Sequence, residues 1–563
     1  MSCLKYTIIN TGTTSGFISY QKCRRFDDQK EWIYLLETLP NQERNIWAVN
    51  NTFTSTSNIG VIESSVFPIT PSNTRTPTQT PSQTPSNTTT PTQTPTNTQT
   101  PTQTKTPTQT NTPSRPICNV LSYGAVGDGV TDDTAAIQSA INACSLVYIP
   151  TGNYYVKTLV LNSNLTIFGD GQNSTKLIYD GTNRNNDNDT LFLALSTDEN
   201  TYISNVTIKN MGLSGCSDTL GFSEFKHLIY LIGTNNISID NVGLTAFRGD
   251  GICLGGRNFV PPYPIDVPRH NLNVTIKNCN FDGVNYSNRN GISIIDCTNL
   301  LVQNSTFKNC TKSTPTIQPG AIDFEPDHTY NVISGATVSG CTFTNVGGTF
   351  AIGAVIKDIN YTTLPTNFLF QNNVISACTS TDGVLTHQYL RDSSSITSSQ
   401  GLTNTIWRNN NIISCPAPFL VNNANGLLID NCIFSACTNP ALISFPTNAY
   451  SLVRNMTISS STFTLHGIGQ APGQALVVFN VSGLTITNTN FTDCEDRALV
   501  FANDFNPYNS YFVNINNSSF TSPTPGRTIY AIYSGSQHVF SATTNSFTNN
   551  TVGPGLINQF QYV

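Results

Sequence analysis

The chain has 563 residues, too many for one ordinary core, so several units or a repeat array is the starting expectation. Charged residues make up only 11% of it, 27 Lys and Arg with 33 Asp and Glu, where typical soluble domains carry about 25%; Thr, Ser and Asn must supply the polar surface. A net charge of −6 argues against nucleic acid as a partner. No apolar run approaches the ~18 residues of a membrane-spanning helix, which argues against membrane insertion.

The opening, MSCLKYTIINTG, shows no basic stretch followed by a long apolar one, so no signal peptide is read and synthesis in a cytosol is expected. Fifteen Cys, an odd number with no CxxC pair, point to a reduced chain with neither a zinc site nor a full disulfide framework. No motif calls for a cofactor or a metal.

Residues 1–67 read as a small β-rich module. Its strands are expected at Tyr6–Ile9, Gly16–Tyr20 and Trp32–Leu36, with another starting near Trp47. It shows no catalytic set, which suits an anchoring role. Residues 68–116 hold eleven of the 30 prolines in repeats of Thr-Pro-Thr/Ser-Gln/Asn, and Arg75, Lys105 and Arg115 are their only charges. Such a segment builds no core, and the spacing of its prolines excludes helix and sheet interior. An extended linker is expected, spanning at most on the order of 150 Å at about 3.1 Å per residue.

Residues 117–563 carry a repeat: two alternating apolar residues, Asn or a small polar residue, then Phe or an aliphatic. Val274-Thr-Ile-Lys-Asn-Cys-Asn-Phe281, Leu301-Val-Gln-Asn-Ser-Thr-Phe307 and Val338-Ser-Gly-Cys-Thr-Phe343 are copies. Others end at Val374, Ile412, Phe434, Phe463, Phe491, Phe520 and Phe547, and degenerate ones at Leu213 and Leu244. Successive spacings from Phe281 are 26, 36, 31, 38, 22, 29, 28, 29 and 27 residues. Short period-2 strands recurring with insertions of variable length mean stacked coils, a parallel β-helix, with apolar residues inward and Asn at left-handed bends. Before its first strands, Thr131-Asp-Asp-Thr134 offers helix N-caps, and Ala136, Ile137, Ala140, Ile141 and Cys144 follow at helical spacing. This predicts a helix covering the open end of the solenoid.

The run Asn119–Asn142, with Ala125-Val-Gly-Asp128-Gly-Val-Thr-Asp132-Asp133-Thr134 inside it, is followed by Val147-Tyr-Ile-Pro-Thr-Gly-Asn-Tyr-Tyr155 and Leu165-Thr-Ile-Phe-Gly-Asp-Gly171. Together they resemble the N-terminal cap of the pectate-lyase-like superfamily of right-handed parallel β-helices, which includes polygalacturonases, alginate epimerases and phage tailspike depolymerases. The resemblance covers the cap closely and the remainder by period alone. In that setting Asp128, Asp132 and Asp133 are turn and cap residues.

Aligning the coils stacks Asp250-Gly-Ile-Cys-Leu254, Asn290-Gly-Ile-Ser-Ile-Ile-Asp296 and Gly320-Ala-Ile-Asp-Phe-Glu-Pro-Asp-His328. With Ile322 and Phe324 inward, Asp323 and Glu325 share the outer face, about 7 Å apart at Cα. Two such carboxyls are candidate catalytic residues for acid–base work on a sugar, at a separation that leaves retention or inversion open. Arg248, Asp250, Arg289, Asp296, Asp327 and His328 are candidate substrate-binding residues, the two Arg toward acidic groups of a polysaccharide. Non-catalytic sugar binding and plain solvated surface are alternatives for the same cluster.

Gly320-Ala-Ile-Asp-Phe-Glu-Pro326 resembles an acidic motif of superfamily members near the carbohydrate groove. A polygalacturonase would also show Gly-His-Gly, which is missing; Arg248-Gly-Asp250 and Val355-Ile-Lys357 are partial matches. Glu325-Pro-Asp-His328 has the residues of the epimerase Asp-Pro-His-Glu motif in another order, and no acidic group marks the calcium site of pectate lyases. His227, His270, His387 and His538 read as isolated surface or loop residues, and His466-Gly467 as isolated downstream.

The layout of module, linker and β-helix resembles phage virion fibres and spikes, assembled in the host cytoplasm and carried on the virion. Host-surface polysaccharide and other virion proteins, the latter through residues 1–67, are the implied partners, with a homotrimer among the assemblies left open. A depolymerase, a non-catalytic adhesin or decorating fibre, and a free polysaccharide lyase or glycoside hydrolase all remain readings at this point.

Overall fold

The structure is a computed structural model. It describes six strands between residues 3 and 66, and residues 117–179, 190–196, 201–256, 268–284, 288–311, 320–356, 361–379, 383–389, 402–444, 452–467, 469, 473–502, 509–525, 527–534, 539–540 and 546–559. The expected linker, 68–116, and His538 lie outside the described residues.

The six N-terminal strands, Cys3–Asn10, Gly16–Lys22, Glu31–Thr38, Glu43–Val49, Thr54–Ser55 and Ile59–Val66, form one antiparallel sheet. Its order along the main path is third, second, fourth, first, sixth. Trp47 lies inside the fourth strand instead of opening it.

From residue 117 the chain winds into a right-handed parallel β-helix. Two strips of each coil pair within one continuous sheet; a third strip forms a separate 14-stranded parallel sheet running from Leu159–Val160 to Ile557–Gln559. The alternation of the sequence explains the core. In register, coil on coil, stand Leu213, Leu244, Phe281, Phe307, Phe343, Ile375, Ile412, Phe434, Phe463, Phe491, Phe520 and Val552. The Phe281–Phe307 and Phe307–Phe343 rings stack at 4.5 and 4.8 Å, and Phe463–Phe491 and Phe491–Phe520 at 4.9 Å, all within 7° of parallel. Two members of the expected ladder are corrected: Val374 points out and Ile375 takes its rung, while Phe547 pairs with Ile515 in a neighbouring ladder.

The bends are where Asn acts. Asn164, Asn205 and Asn236 all have φ near +60°, and each amide donates to the carbonyl oxygen of the one before, at 2.9 and 2.8 Å. Asn372, Asn409 and Asn431 repeat the pattern at a second bend, at 3.0 and 2.8 Å. Asn tolerates this backbone better than other side chains, and stacking satisfies amides that would otherwise be left at a tight corner.

The expected cap helix is Thr134–Ala143, burying Ile137, Ala140 and Ile141. Asp132 accepts from the Thr134 N–H and hydroxyl; Asp133 instead reaches back to the N–H groups of Val126 and Gly127, at 2.6 and 3.1 Å. Asp128 closes its own turn by accepting from Val130 and Thr131. All three act as turn and cap residues. Against the expectation of a reduced chain, a disulfide joins Cys118 to Cys144 at the helix C-terminus. The remaining described cysteines are thiols, buried except for the half-buried Cys216.

Removing one ring from the aromatic ladder should cost the usual large-to-small core penalty. Phe463→Ala, flanked by Phe434 and Phe491, is expected to lose about 3–5 kcal/mol in equilibrium denaturation. A loss below about 1 kcal/mol would mean that the ladder is not a packed core.

Candidate functional site

The site lies on the outer face of the 14-stranded sheet. There one in-register ladder runs Leu193, Tyr230, Cys253, Ser293, Asp323, Gly353, Thr386, Leu420, Leu442, Val477, Val500, Tyr533. It is largely apolar toward both ends, with clusters around Tyr230 and around Val477. Ser293, Asp323, Gly353 and Thr386 interrupt it. The polar block sits where the candidate carboxyls were placed from sequence.

Asp323 belongs to the strand Gly320–Phe324, whose Ile322 and Phe324 enter the core, so its side chain points outward as expected. It is nevertheless only 2% exposed. Phe350, itself buried, lies so close to Gly320 and Gly353 that neither position has room for a methyl group. Gly353 is the rung beside Asp323. Glu325 follows on the same face, about a fifth exposed, near enough for its charge to act on Asp323.

Arg289 organises the group. One terminal nitrogen donates to both Glu325 oxygens at 2.8 Å. The other donates to both Asp250 oxygens at 3.1 Å and to Ser293 Oγ at 2.8 Å. Asn290 joins Ser293 at 2.8 Å and approaches Asp323 at 3.5 Å, while its carbonyl oxygen accepts from the Gly320 N–H. Asp250 is fully buried and also lies 3.2 Å from His227 Nδ1. Burial pushes the Asp250 carboxyl up, but the charge of Arg289 and then the neighbouring His227 outweigh it and hold it at about 2. Asp323 moves the other way. Burial, then the neighbouring Glu325 charge, raises it well above the carboxylate range against the pull of Arg289. Glu325 is also raised, by burial first, with Arg289 opposing and Asp250 and Asp327 adding. Two adjoining carboxylates beside one guanidinium disfavour each other's ionised form, and Asp323, the more deeply buried, is raised further.

Three of the candidate binding residues are placed differently from expectation. Arg248 turns away and donates to the carbonyls of Gly221 and Leu220, at 2.8 and 3.2 Å, capping the end of the short helix Ser217–Leu220. Asp296 lies past the end of its strand, fully buried, where it accepts from the N–H groups of Val332 and Asn271 and pairs with His270 at 2.9 Å. It brackets two coils and is remote from the Arg289 contacts. Arg289 is in the site but is spent on internal carboxylates. Asp327 and His328 are on the rim beyond Pro326, Asp327 exposed and His328 stacked on Tyr330 at 5.1 Å.

The histidines are corrected too. His387 is fully buried, hydrogen-bonded to Thr405 at 3.0 Å and pushed down to about 3 by burial; His466 is buried and held at about 4. His227 is part of the site. Extending the alignment one coil upstream, Ile229 opposite Ile252, sets His227 level with Asp250, so the signal was present in the register. Ser293 and Asn290 stood in the aligned segments as well.

Among the described residues, His227, Asp250 and Cys253 form one group whose donor atoms converge as a metal site requires. Their lone pairs are taken: His227 Nδ1 accepts the Asp250 N–H at 3.1 Å, the Asp250 oxygens hold Arg289, and burial keeps the Cys253 thiol protonated. The donor set does not fit a cation.

The geometry defines a right-handed parallel β-helix with a buried carboxyl pair on its outer face. Residues 117–342 match the family described as Rhamnogalacturonase A/epimerase, pectate lyase-like. Similar proteins include the tail spike protein of Escherichia virus K5, 24% identical over 40% of this chain and 32% of its own. The preneck appendage protein of Bacillus phage PZA is 29% identical over 32% of this chain and 22% of its own. The chain thus spans about a third or less of these relatives' lengths. The pre-mature gene product 12 of bacteriophage phi29 superposes with a TM-score of 0.48 at 15% identity, over 78% of this chain and 56% of that one.

The raised Asp323 carboxyl makes a pH prediction. Asp323 has a raised pKa in the folded state, so the folded chain binds more protons than the unfolded one above about pH 4, and the pair's contribution to stability falls as pH rises from there. Asp323→Asn removes that loss. Its melting temperature relative to wild type is expected to climb between pH 4.5 and 8; a flat or falling difference would refute the raised carboxyl.

Proposed function

We propose that this chain is a bacteriophage virion fibre or spike whose β-helix engages host-surface polysaccharide at the Asp323–Glu325 pair and cleaves it there. Residues 1–67 would attach it to other virion proteins, and 68–116 would give the β-helix reach. The likeness to a phage tail spike and a phage appendage protein supports the virion role, and the pectate-lyase-like match of residues 117–342 supports a sugar polymer as the target.

The observation that carries the catalytic reading is the carboxyl pair itself. Both carboxyls are raised by burial, and one of them reaches solvent, on the polar rungs of an otherwise largely apolar outer ladder. Perturbed carboxyls set against a specific charge partner mark functional sites more often than plain surface does. With one carboxyl protonated and the other ionised, the pair has a donor and an acceptor. In hydrolysis, a water oxygen bonds to the anomeric carbon and the bond to the leaving oxygen breaks. The ionised carboxylate takes a proton from the water, and the protonated carboxyl returns one to the leaving oxygen, so the pair ends as it began. Arg289 holds Glu325 in place and fixes which group is ionised.

A second reading has an observation of its own. Asp323 is almost fully covered and Glu325 is clamped by two hydrogen bonds, which suits a rigid binding face on a non-catalytic adhesin.

Incubating the purified chain with host-surface polysaccharides, wild type beside Asp323→Asn/Glu325→Gln, separates the two. New reducing ends that fall by about 100-fold or more in the double variant are expected for the enzyme. Retention of the polysaccharide without cleavage by either protein would make it an adhesin.

A further inference from the structure

We infer that this site takes uncharged sugar residues and disfavours uronates and other acidic sugars, so that cleavage here is hydrolysis and not elimination. The inference rests on the functional reading above and specifies its substrate class.

The charges facing the pair decide it. Arg289 is the one cation among the described residues that contacts the carboxyls, and both of its terminal nitrogens are committed, to Glu325 and to Asp250 with Ser293. Arg248 is bonded to the carbonyls of Leu220 and Gly221, and Lys226 is buried. Against that single, internally balanced cation stand the ionised Asp250 and the charge of the Asp323–Glu325 pair. Glu224, half exposed, lies with a carboxylate oxygen 3.8 Å from Arg289 Nε, and Asp327 is exposed on the rim. Among the described residues, the exposed charge facing the pair is therefore negative.

A sugar carboxylate brought here would lose its hydration and meet like charge, and among the described residues the guanidinium at the pair is already committed to internal carboxylates. Uncharged hydroxyls suit the site, since they can donate to the partly exposed Glu325 and to the exposed Asp327 and Glu224. Elimination draws its proton from a carbon acidified by the substrate's own carboxylate, so excluding that carboxylate excludes the lyase reaction.

The test is retention of the full chain on immobilised polymers that differ only in charge: polygalacturonate and alginate, each beside its carboxyl-reduced neutral product. At least tenfold tighter retention on the reduced forms is expected, with any cleavage giving reducing ends and no absorbance near 235 nm. The preference should shrink several-fold in Glu224→Gln/Asp327→Asn, and also on raising salt, since these carboxylates are exposed and screened. Equal or tighter retention on the native acidic polymers, or an unchanged preference in the variant, overturns the inference and leaves polysaccharide engagement standing. Retention on neither form of either polymer, nor on a panel of neutral glucans and galactans, overturns the functional reading and this inference with it.

Discussion

Everything from residue 117 onward depends on parallel pairing in strict register between coils. A residue's nearest neighbours are its own equivalents one coil above and below, so a side chain is placed less by its local sequence than by the column it joins. A Phe finds other Phe rings stacked within 5 Å of it, and an Asn at a bend finds another Asn amide. A carboxylate in a column finds whatever stands on the adjoining rungs, and that is how Asp250 and Glu325, 39 and 36 residues from Arg289 in sequence, meet it within hydrogen-bonding distance.

Column logic also accounts for the chemistry. The outer face of the 14-stranded sheet is packed by apolar side chains over much of its length, so water is already displaced there. Placing Asp323 on the central rungs, with the Phe350 ring seated on Gly353 beside it, buries an acid in a setting prepared for hydrocarbon. Arg289 limits the cost by pairing with both Asp250 and Glu325, and what remains unbalanced is relieved by a retained proton. The perturbed acidity follows from the fold's own columns and needs no separate loop architecture.

Much of this was legible in the sequence. The repeat period, the Asn bends and the cap helix are written in local alternation and spacing, and they gave the solenoid, the outward direction of Asp323 and its closeness to Glu325. What local pattern could not show is who occupies the neighbouring rung when coil lengths vary. Val374 was chosen over Ile375 because both are apolar and adjacent; only the pairing of Phe343 with Ile375 decides between them. Arg248 looked like a ligand-binding group because nothing in the chain announces that the carbonyls of Leu220 and Gly221 need a donor. His387 and His466 looked superficial because His is polar, whereas their columns run through the core.

The disulfide between Cys118 and Cys144 has a mechanical meaning. The hydrogen bonds between coils lie along the solenoid axis, so tension applied through the chain would peel coils from an end one after another, loading few bonds at a time. Force arriving along the backbone at residue 117 meets the covalent loop that ties the first strand, Cys118–Asn119, to the end of the cap helix. The bridge carries that force directly from Cys118 to Cys144, so residues 119–143, the cap helix among them, are spared the load and the first coil behaves as a locked ferrule on the end of a rod.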